Sequence, residues 1–428
     1  MNPLWNAYVE VLHEQVVPAL GCTEPVAVAL AAAQGRDLLG VPPERLTVRV
    51  SPNIYKNGMG VGIPGTGMVG LPIAAALGAV AGDGEAGLEV LHAVTGAHLA
   101  PARALREHVT VGVVESDDPL YVEVLAEAGG HASRVVICHD HTNVVLREHD
   151  GAVVFTAPRA AGRNSPAGLP PMTLGELITF ATEVPLETIA FMEKAATLNA
   201  ALSEEGLARE YGLKIGRTLK EQVRSGLLAD DLLTLAMRLS SAASDARMDG
   251  AMLPAMSNSG SGNQGISATM PVVAAAQLVG ADREKLIRAV TLSHIVAVYI
   301  KSHQEKLSAL CAASTAGMGA GAGITWLLGG DADAIADCIQ NMIGDVSGII
   351  CDGAKTSCSM KVSTAASAAV KAALLAREHI RVSAAEGIVA ESPDASIANL
   401  GRLCREGMAE TDRQIVKIMA DKKAAAEG

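Results

Sequence analysis

The sequence predicts an α+β protein, in which a mixed α/β N-terminal domain with a small antiparallel sheet is followed by an all-α domain of small-residue helices. Three observations lead to this prediction. Residues 108–157 alternate between apolar and polar side chains with a period of two, as strands do. The long segments after residue 172 have a helical period instead. Gly accounts for 43 of the 428 residues and Ala is abundant, so closely packed helices are expected.

The elements of the N-terminal domain can be predicted in order. Residues 1–40 are expected to form two helices, because Gly21 and Cys22 interrupt the period and Thr23 can cap a second helix. Residues 45–51 alternate as a strand, residues 53–67 are predicted to be a Gly-rich loop, and residues 68–80 an apolar helix. Five alternating runs then follow before residue 157, and Gly or Asp separates most of them, which favours an antiparallel sheet.

The boundary between the two domains is predicted from composition. Residues 158–171 (PRAAGRNSPAGLPP) are rich in Pro, Gly, Asn and Ser and are interpreted as a linker. This divides the chain into an α+β domain at residues 1–157 and an all-α domain at residues 172–428.

Composition excludes several classes of function. The formal net charge is −12 and aromatic residues make up only 2%, so neither nucleic acid nor an anionic lipid surface is an expected partner. Uncharged stretches are broken by Gly, Pro, Asn or Ser, which argues against membrane spans. Seven cysteines without a secretory signal favour a cytoplasmic protein with reduced thiols. A homodimer is compatible with Gly- and Ala-rich helices, and the expected ligand is a small molecule.

Four cysteines lie at breaks between predicted elements. Cys351 and Cys358 flank a turn that contains Asp-Gly, Cys311 lies 40 residues before Cys351, and Cys22 precedes a helix. Thiols at such positions can converge on a metal or an iron–sulfur cluster, and a helix N-terminus favours the thiolate. Without a CxxC pair, small core residues are the alternative, and this is the simpler interpretation for Cys138, Cys338 and Cys404.

Two loops are candidates for substrate binding. Residues 257–265 (SNSGSGNQG) precede a helical run, so backbone N–H groups and the side chains of Ser259, Ser261 and Asn263 can receive a carboxylate or phosphate; a capped turn is the alternative. In residues 51–65 a G-x-G-x-x-G match is weak, because no βαβ unit follows. That loop is better interpreted as presenting Lys56 and Asn57 to a cleft, with a solvated lysine as the alternative.

A histidine-rich turn lies between two predicted strands. Residues 139–143 (HDHTN) place His139 and His141 on one face if the strand continues. Two histidines beside an aspartate can bind a metal or transfer protons, whereas a polar turn is at least as common.

Four segments together resemble the L-cysteine desulfidase family, which is related to the iron–sulfur L-serine dehydratases. They are residues 21–25 (GCTEP), 53–57 (NIYKN), 259–265 (SGSGNQG) and 351–358 (CDGAKTSC). The resemblance implies an oxygen-sensitive [4Fe–4S] lyase that converts L-cysteine to pyruvate, ammonia and sulfide without pyridoxal phosphate. It also implies that residues 172–428 are the cluster-binding domain.

The resemblance also suggests ligands for the cluster. Cys311, Cys351 and Cys358 stand at the places of the three cysteines that hold the cluster in the dehydratases. Those enzymes fill the open iron with a C-terminal cysteine, which the end of this sequence (AAAEG) does not offer. Cys22 is therefore predicted as a metal ligand, and three roles remain open for it: a resting-state ligand, a permanent ligand or a catalytic thiol.

The expected mechanism assigns roles to the remaining residues. The substrate carboxylate is expected on the loop at residues 257–265, and Thr23, Asn53 and Asn57 are expected to orient the substrate. Lys56 is the first candidate for the base that removes the Cα proton, and His141 is the second.

Three alternatives remain open at this stage. The same scaffold can serve an L-serine dehydratase, which eliminates water in place of sulfide. A pyridoxal-phosphate β-eliminase would use the Ser/Gly loop for phosphate and Lys56 for the Schiff base, but it requires alternating strands and helices after Gly265. A non-enzymatic helical protein with a structural metal explains the cysteines and leaves the polar loops without a role.

Overall fold

The computed structural model of the chain describes residues 2–116, 118–157, 169–304 and 307–427. A mixed sheet occupies the N-terminal half and helices fill the C-terminal half, which confirms the predicted α+β class. Most of the predicted linker, residues 158–168, lies outside the described residues, so the domain boundaries stay a prediction.

The α-helices of the described residues are numbered in chain order. In the first half they are α1 (Pro3–Gln15), α2 (Thr23–Leu39), α3 (Pro52–Gly58), α4 (Leu71–Ala81) and α5 (Leu99–Arg106). In the second half they are α6 (Leu174–Glu183), α7 (Leu186–Ile189), α8 (Glu193–Ala208), α9 (Ile215–Arg224), α10 (Leu232–Met248), α11 (Gly262–Val279), α12 (Arg283–Ser302), α13 (Ala312–Leu327), α14 (Ala332–Val346), α15 (Cys358–Arg377), α16 (Pro393–Arg402) and α17 (Ala409–Glu427).

The β-strands are numbered in the same way. They are β1 (Pro18–Ala19), β2 (Arg45–Val50), β3 (Gly62–Ile63), β4 (Met68–Val69), β5 (Val109–Val113), β6 (Tyr121–Ala128), β7 (His131–Cys138), β8 (Val144–His149), β9 (Ala152–Thr156) and β10 (Ala255–Met256). The largest sheet has the order β5-β2-β6-β7-β8-β9, while β1 pairs with β10 and β3 with β4.

The sheet is mixed, where the sequence predicted an antiparallel one. β2 runs parallel to β5, and the other neighbours are antiparallel. The chain leaves β2, passes through α3, α4 and α5, and returns to the edge of the sheet in the same direction, as a parallel pair requires. Alternation along a strand reports burial and carries no information on the direction of its neighbour.

The predicted Gly-rich loop at residues 53–67 is wrong over residues 53–58. Residues 52–58 form α3, because Pro52 occupies the first turn of a helix, where its missing N–H costs nothing. The glycines that made the segment look irregular begin only at Gly58. This short helix turns Asn57 toward the interior of the protein.

Two helices cover one face of the sheet. Leu46, Val48 and Val50 of β2 are fully buried there with residues of α2 and α4. α2 and α4 lie so close together that a Cβ atom on Gly78 would come within 2.2 Å of the Ala29 carbonyl oxygen. This close contact is the reason for a glycine in the middle of α4.

The helical half is built around α13, which packs against α11, α12, α14 and α15. The small-residue helices predicted from composition are confirmed here: a Cβ atom on Gly319 of α13 would lie 2.2 Å from the Ser293 carbonyl oxygen of α12. α1 also joins this core, through Tyr8 and Leu12. Within the described part of the chain, no helix is both long and apolar enough to cross a membrane.

Candidate functional site

A cavity of about 90 Å³ lies where the sheet half and the helical half meet. The N-terminal ends of four helices, α2, α11, α13 and α15, converge on it. Four of the seven cysteines line its wall, and they are Cys22, Cys311, Cys351 and Cys358. The structure therefore brings together, at one place, thiols that are up to 336 residues apart in the sequence (358 − 22).

Cys22 reaches the cavity as the residue that precedes α2. Gly21 has a φ of +86°, which turns the chain sharply from β1 into this helix. The Cys22 thiol donates a hydrogen bond to Glu24 Oε2 over 3.1 Å, and Thr23 Oγ1 donates to the same oxygen over 3.2 Å. Asn57 Nδ2 donates to the other carboxylate oxygen over 2.9 Å.

Glu24 is thus a buried carboxylate at the centre of a polar network. Burial alone would raise the pKa of Glu24, but attraction between the carboxylate and the protonated form of His141 and the hydrogen bonds from Cys22 and Asn57 outweigh it, so the pKa lies below its ordinary value. His141, which is 2% exposed, lines the same cavity from the turn between β7 and β8. The sheet half therefore brings an imidazole and a carboxylate to the thiols.

Cys311 and Cys351 are held side by side by their own main chain. The Cys311 N–H donates to the Ile349 carbonyl over 2.9 Å, and the Cys351 N–H donates to the Ala309 carbonyl over 2.7 Å. This antiparallel bridge centres on Leu310 and Ile350. Cys311 then caps α13, and residues 352–357 turn the chain so that Cys358 begins α15.

The thiols influence one another electrostatically. Burial raises the pKa of Cys311, and negative charge on Cys351 and Cys358 raises it further. Burial and the charge of Cys351 likewise raise the pKa of Cys358. A positively charged group among these thiols would favour their ionised form, which is the form that binds metals.

The described residues contain no group of three or more His, Cys, Asp or Glu side chains arranged to hold a single metal ion. An iron–sulfur cluster does not require such a group, because each thiolate binds a different iron atom and the cluster separates the ligands.

The Ser/Gly loop predicted as an anion site also faces the cavity. Ser261 caps α11 by accepting a hydrogen bond from the Gln264 N–H over 3.3 Å, and Ser259 and Asn263 line the wall beside it. The loop is tied to the N-terminal segment, since the Ser257 N–H donates to the Val17 carbonyl over 2.9 Å. The pairing of β1 with β10 thus places this loop next to Cys22.

His294 of α12 is fully buried and contacts the loop at residues 257–265. Its Nδ1 lies 3.1 Å from Asn258 Nδ2, and its Nε2 lies 2.9 Å from Thr269 Oγ1. Burial lowers the pKa of His294 to about 3, so the imidazole is neutral and can accept the hydrogen bond from Asn258.

Arg247 is a cavity residue that the sequence analysis missed. It lies near the end of α10 and is 3% exposed, with Nη2 donating to the Gly21 carbonyl over 2.9 Å and Nη1 to Asn263 Oδ1 over 3.2 Å. Among the described residues no carboxylate pairs with it, and its Nε has no hydrogen-bond partner. A buried guanidinium with a vacant donor is suited to a carboxylate ligand.

The sequence contains a signal for one of the two residues that the sequence analysis missed, Glu24, and none for the other, Arg247. Glu24 lies inside the segment GCTEP, where a carboxylate in the first helical turn could have been singled out together with Cys22. Arg247 follows a run of small residues and carries no local pattern that marks it as a cavity residue.

Two predicted site residues do not line the cavity. The Lys56 side chain is buried but points away from it: Nζ bonds Asp412 Oδ1 over 2.5 Å and the Cys351 carbonyl over 3.2 Å. Asn53, in the first turn of α3, is also absent from the wall. Residues 53, 56 and 57 are spaced as i, i+3 and i+4 and so lie on one face of α3, but only Asn57, near the C-terminal end of the helix, reaches the cavity wall.

The two histidines of the 139–143 turn face different spaces. His139 Nδ1 lies 2.8 Å from Asp118 Oδ2 in a separate surface cleft, whereas His141 lines the thiol cavity. His139 has a φ of +66°, which ends the regular strand and removes the alternation that would have kept both rings on one face. The interpretation that the two histidines share a metal site is therefore wrong.

Comparison with known proteins shows the family to which the chain belongs. The family model described as the serine dehydratase alpha chain matches residues 85–417. A UPF0597 protein of Aeromonas hydrophila is 59% identical over 426 residues, covering 99% of this chain and 98% of its own length. The UPF0597 protein YhaM of Salmonella paratyphi B is 53% identical over 429 residues, with 99% and 98% covered. A UPF0597 protein of Oleidesulfovibrio alaskensis is 49% identical over 426 residues, with 99% and 100% covered.

The predicted relation to the serine dehydratases is confirmed, and the chain belongs to the serine dehydratase alpha-chain family.

Proposed function

We propose that this protein is an iron–sulfur lyase that β-eliminates sulfide from L-cysteine to give pyruvate, ammonia and hydrogen sulfide. The observation that carries the proposal is the single cavity at which four thiols, a buried histidine–glutamate pair and a buried arginine meet. The family match supports lyase chemistry, and the choice of L-cysteine as substrate is the finer part of the proposal.

The donor set of the cavity fits an iron–sulfur cluster. Cys311, Cys351 and Cys358 would hold it, since all three line the wall and thiolates are the ligands that such clusters use. A [4Fe–4S] cluster, when bound, supplies an iron that acts as a Lewis acid and makes sulfide a better leaving group. Cys22 lines the cavity from the start of α2 and packs in the same cluster as Cys358, where any of its three predicted roles can be served.

The substrate carboxylate binds to Arg247 and to the loop at residues 257–265. The vacant Nε of Arg247 can donate to one carboxylate oxygen, and the Ser261 hydroxyl can donate to the carboxylate from the loop. Ser259 lines the wall beside it, with its hydroxyl donating to Asn258 Oδ1 over 2.9 Å. Asn263, already bonded to Arg247, holds the guanidinium against this loop. The positive end of α11 adds to the same attraction.

His141 is the base that removes the Cα proton in this proposal, since it lines the cavity and Lys56 does not. Glu24 stabilises the imidazolium that forms, through the attraction that lowers its own pKa. Thr23 and Asn57 fix Glu24 and the neighbouring cavity wall.

The electrons of the Cα–H bond form the Cα–Cβ double bond, and the C–S electron pair leaves with sulfur. The released aminoacrylate tautomerises and is hydrolysed by water to pyruvate and ammonia.

L-serine is the second candidate substrate, because the matched family is named for serine dehydration. A pyridoxal-phosphate enzyme is less well supported, because the chain continues after Gly265 as helices and the Lys56 amine already bonds Asp412. A structural metal in a non-enzymatic protein leaves Arg247, His141 and Glu24 without a role.

Purification under strictly anaerobic conditions tests the proposal. The protein is expected to be brown, to contain iron and acid-labile sulfide, and to release sulfide and pyruvate in equal amounts from L-cysteine. Pyruvate from L-serine at a higher specificity constant would change the assignment to a serine dehydratase. Colourless protein without iron, but with released pyridoxal phosphate or bound zinc, would overturn it.

A further inference from the structure

The ammonium group of Lys56 joins the C-terminal helix to the loop that carries Cys351. Lys56 Nζ lies 2.5 Å from Asp412 Oδ1 of α17 and 3.2 Å from the Cys351 carbonyl oxygen. Both side chains are shielded from water, with exposed fractions of 1% for Lys56 and 15% for Asp412. α17 itself packs against α3.

Around this contact the main chain of the Cys351 loop packs closely against α3. Gly353 has a φ of +103°, and a Cβ atom there would lie 2.4 Å from the Lys56 carbonyl oxygen, so the Cys351 loop rests directly on α3. Lys361 Nζ donates to the preceding carbonyl, that of Ile350, over 2.6 Å. Two lysines from different helices thus hold consecutive carbonyls on either side of the Cys351 Cα atom.

We propose that Asp412 and Lys56 are positioning residues that fix the main chain of Cys351, which makes the C-terminal helix a structural part of the thiol site. The inference rests on the proposed function in that Cys351 is taken as a cluster ligand. Lys56 then acts through the Cys351 carbonyl and does not touch the substrate.

The physical reason lies in the burial of the ammonium group. A buried cation must be paired, and Asp412 provides the nearby negative charge that holds Nζ in place. With Nζ held, its remaining hydrogens are directed at the Cys351 carbonyl. Removing Asp412 leaves the ammonium group without its anion, so it turns toward water and the loop loses one of its two carbonyl anchors.

The experiment compares Lys56→Met and Asp412→Asn with the wild-type protein. We expect both variants to fold, judged by circular dichroism, and to lose iron to a chelator roughly 10–100-fold faster, as changes beyond the ligands of a metal do. In the apoprotein variants, the rate at which iodoacetamide alkylates Cys351, followed by mass spectrometry, should increase by a larger factor than the rate at which it alkylates Cys22. Lys56→Arg, which can still donate to both oxygens, should restore slow iron loss.

Two further variants separate positioning from attachment of the helix. Glu410→Gln, on the same helix but exposed and paired with Arg413 and Gln414, should behave as wild type. The exchange Lys56→Glu with Asp412→Lys keeps an ion pair but removes the donor to Cys351, so iron loss and alkylation should stay fast.

Wild-type behaviour of Lys56→Met, or full rescue by the exchange, would overturn the inference. If the wild-type protein held no iron, the proposed function would fail, and the alkylation rates of the apoprotein would still decide this inference.

Discussion

The sheet half and the helical half contribute different chemistry to one cavity. The helical half supplies Cys311, Cys351 and Cys358 together with Arg247, all on helix ends or on a hydrogen-bonded bridge. The sheet half supplies the Glu24–His141 pair and the single thiol of Cys22. Under the proposed function, one half holds the cofactor and the substrate carboxylate, while the other half removes the proton.

The first prediction concerns the cofactor side of this comparison and has the largest expected effect. Cys351→Ala should yield iron-poor, colourless protein whose sulfide release falls by about 1,000-fold or more, equivalent to ~4 kcal/mol of barrier. Iron analysis and a sulfide assay measure this. Cys404→Ala, which changes a core thiol of the same half that does not line the cavity, should retain iron and activity. A brown and active Cys351→Ala protein would contradict the division of roles.

Loss of the proton-transfer group should leave the cofactor in place. His141→Gln is expected to lower kcat by roughly 10²–10⁴-fold with normal iron content, because general base catalysis contributes an effect of that size. His139→Gln, in the same turn but facing the separate cleft, serves as the matched control. Steady-state kinetics with L-cysteine measure kcat, and iron analysis measures the cofactor content. If the His141→Gln protein lost iron as well as activity, His141 would belong to the cofactor side of the comparison instead.

Arg247 tests whether the helical half binds the substrate carboxylate. Arg247→Lys should raise KM by about 10–100-fold with a smaller change in kcat, since a charge-assisted hydrogen bond is worth roughly 1.5–3 kcal/mol. Arg238→Gln on the same helix changes a residue that pairs with Asp230 away from the cavity, and it should leave KM unchanged. An unchanged KM in Arg247→Lys would exclude this role.

The smallest effect concerns stability and pH. An unfolded histidine gains a proton near pH 6.5, whereas folded His294 does so only near pH 3, so the unfolded state binds more protons between these values. The free energy of unfolding should therefore fall as the pH drops below 6.5, by at most about 1.4 kcal/mol per pH unit from this group. Urea unfolding of His294→Gln should show a shallower decrease between pH 6.5 and 5 than the wild-type protein. If the free energy of unfolding decreased equally in both proteins, His294 would not be the cause of the pH dependence.

Much of the fold could be predicted from periodicity and composition. The alternating runs at residues 108–157 are strands, and the small-residue segments after residue 172 are helices that pack as closely as their glycines allow. The parallel pairing of β2 with β5 and the helix α3 escaped prediction. Local pattern reports which residues are buried, but strand direction depends on the path of the connecting chain.

The candidate site divides in the same way. The positions of Cys22, Cys311 and Cys358 at helix starts follow from the sequence, because Gly, Asp-Gly and capping residues mark where helices begin. That these thiols share one cavity with His141 and Arg247, and that Lys56 turns away from it toward Asp412, was decided by tertiary structure. The physical reason is that a side chain's direction depends on the rotation and packing of its whole element, and those are fixed by contacts between residues hundreds of positions apart.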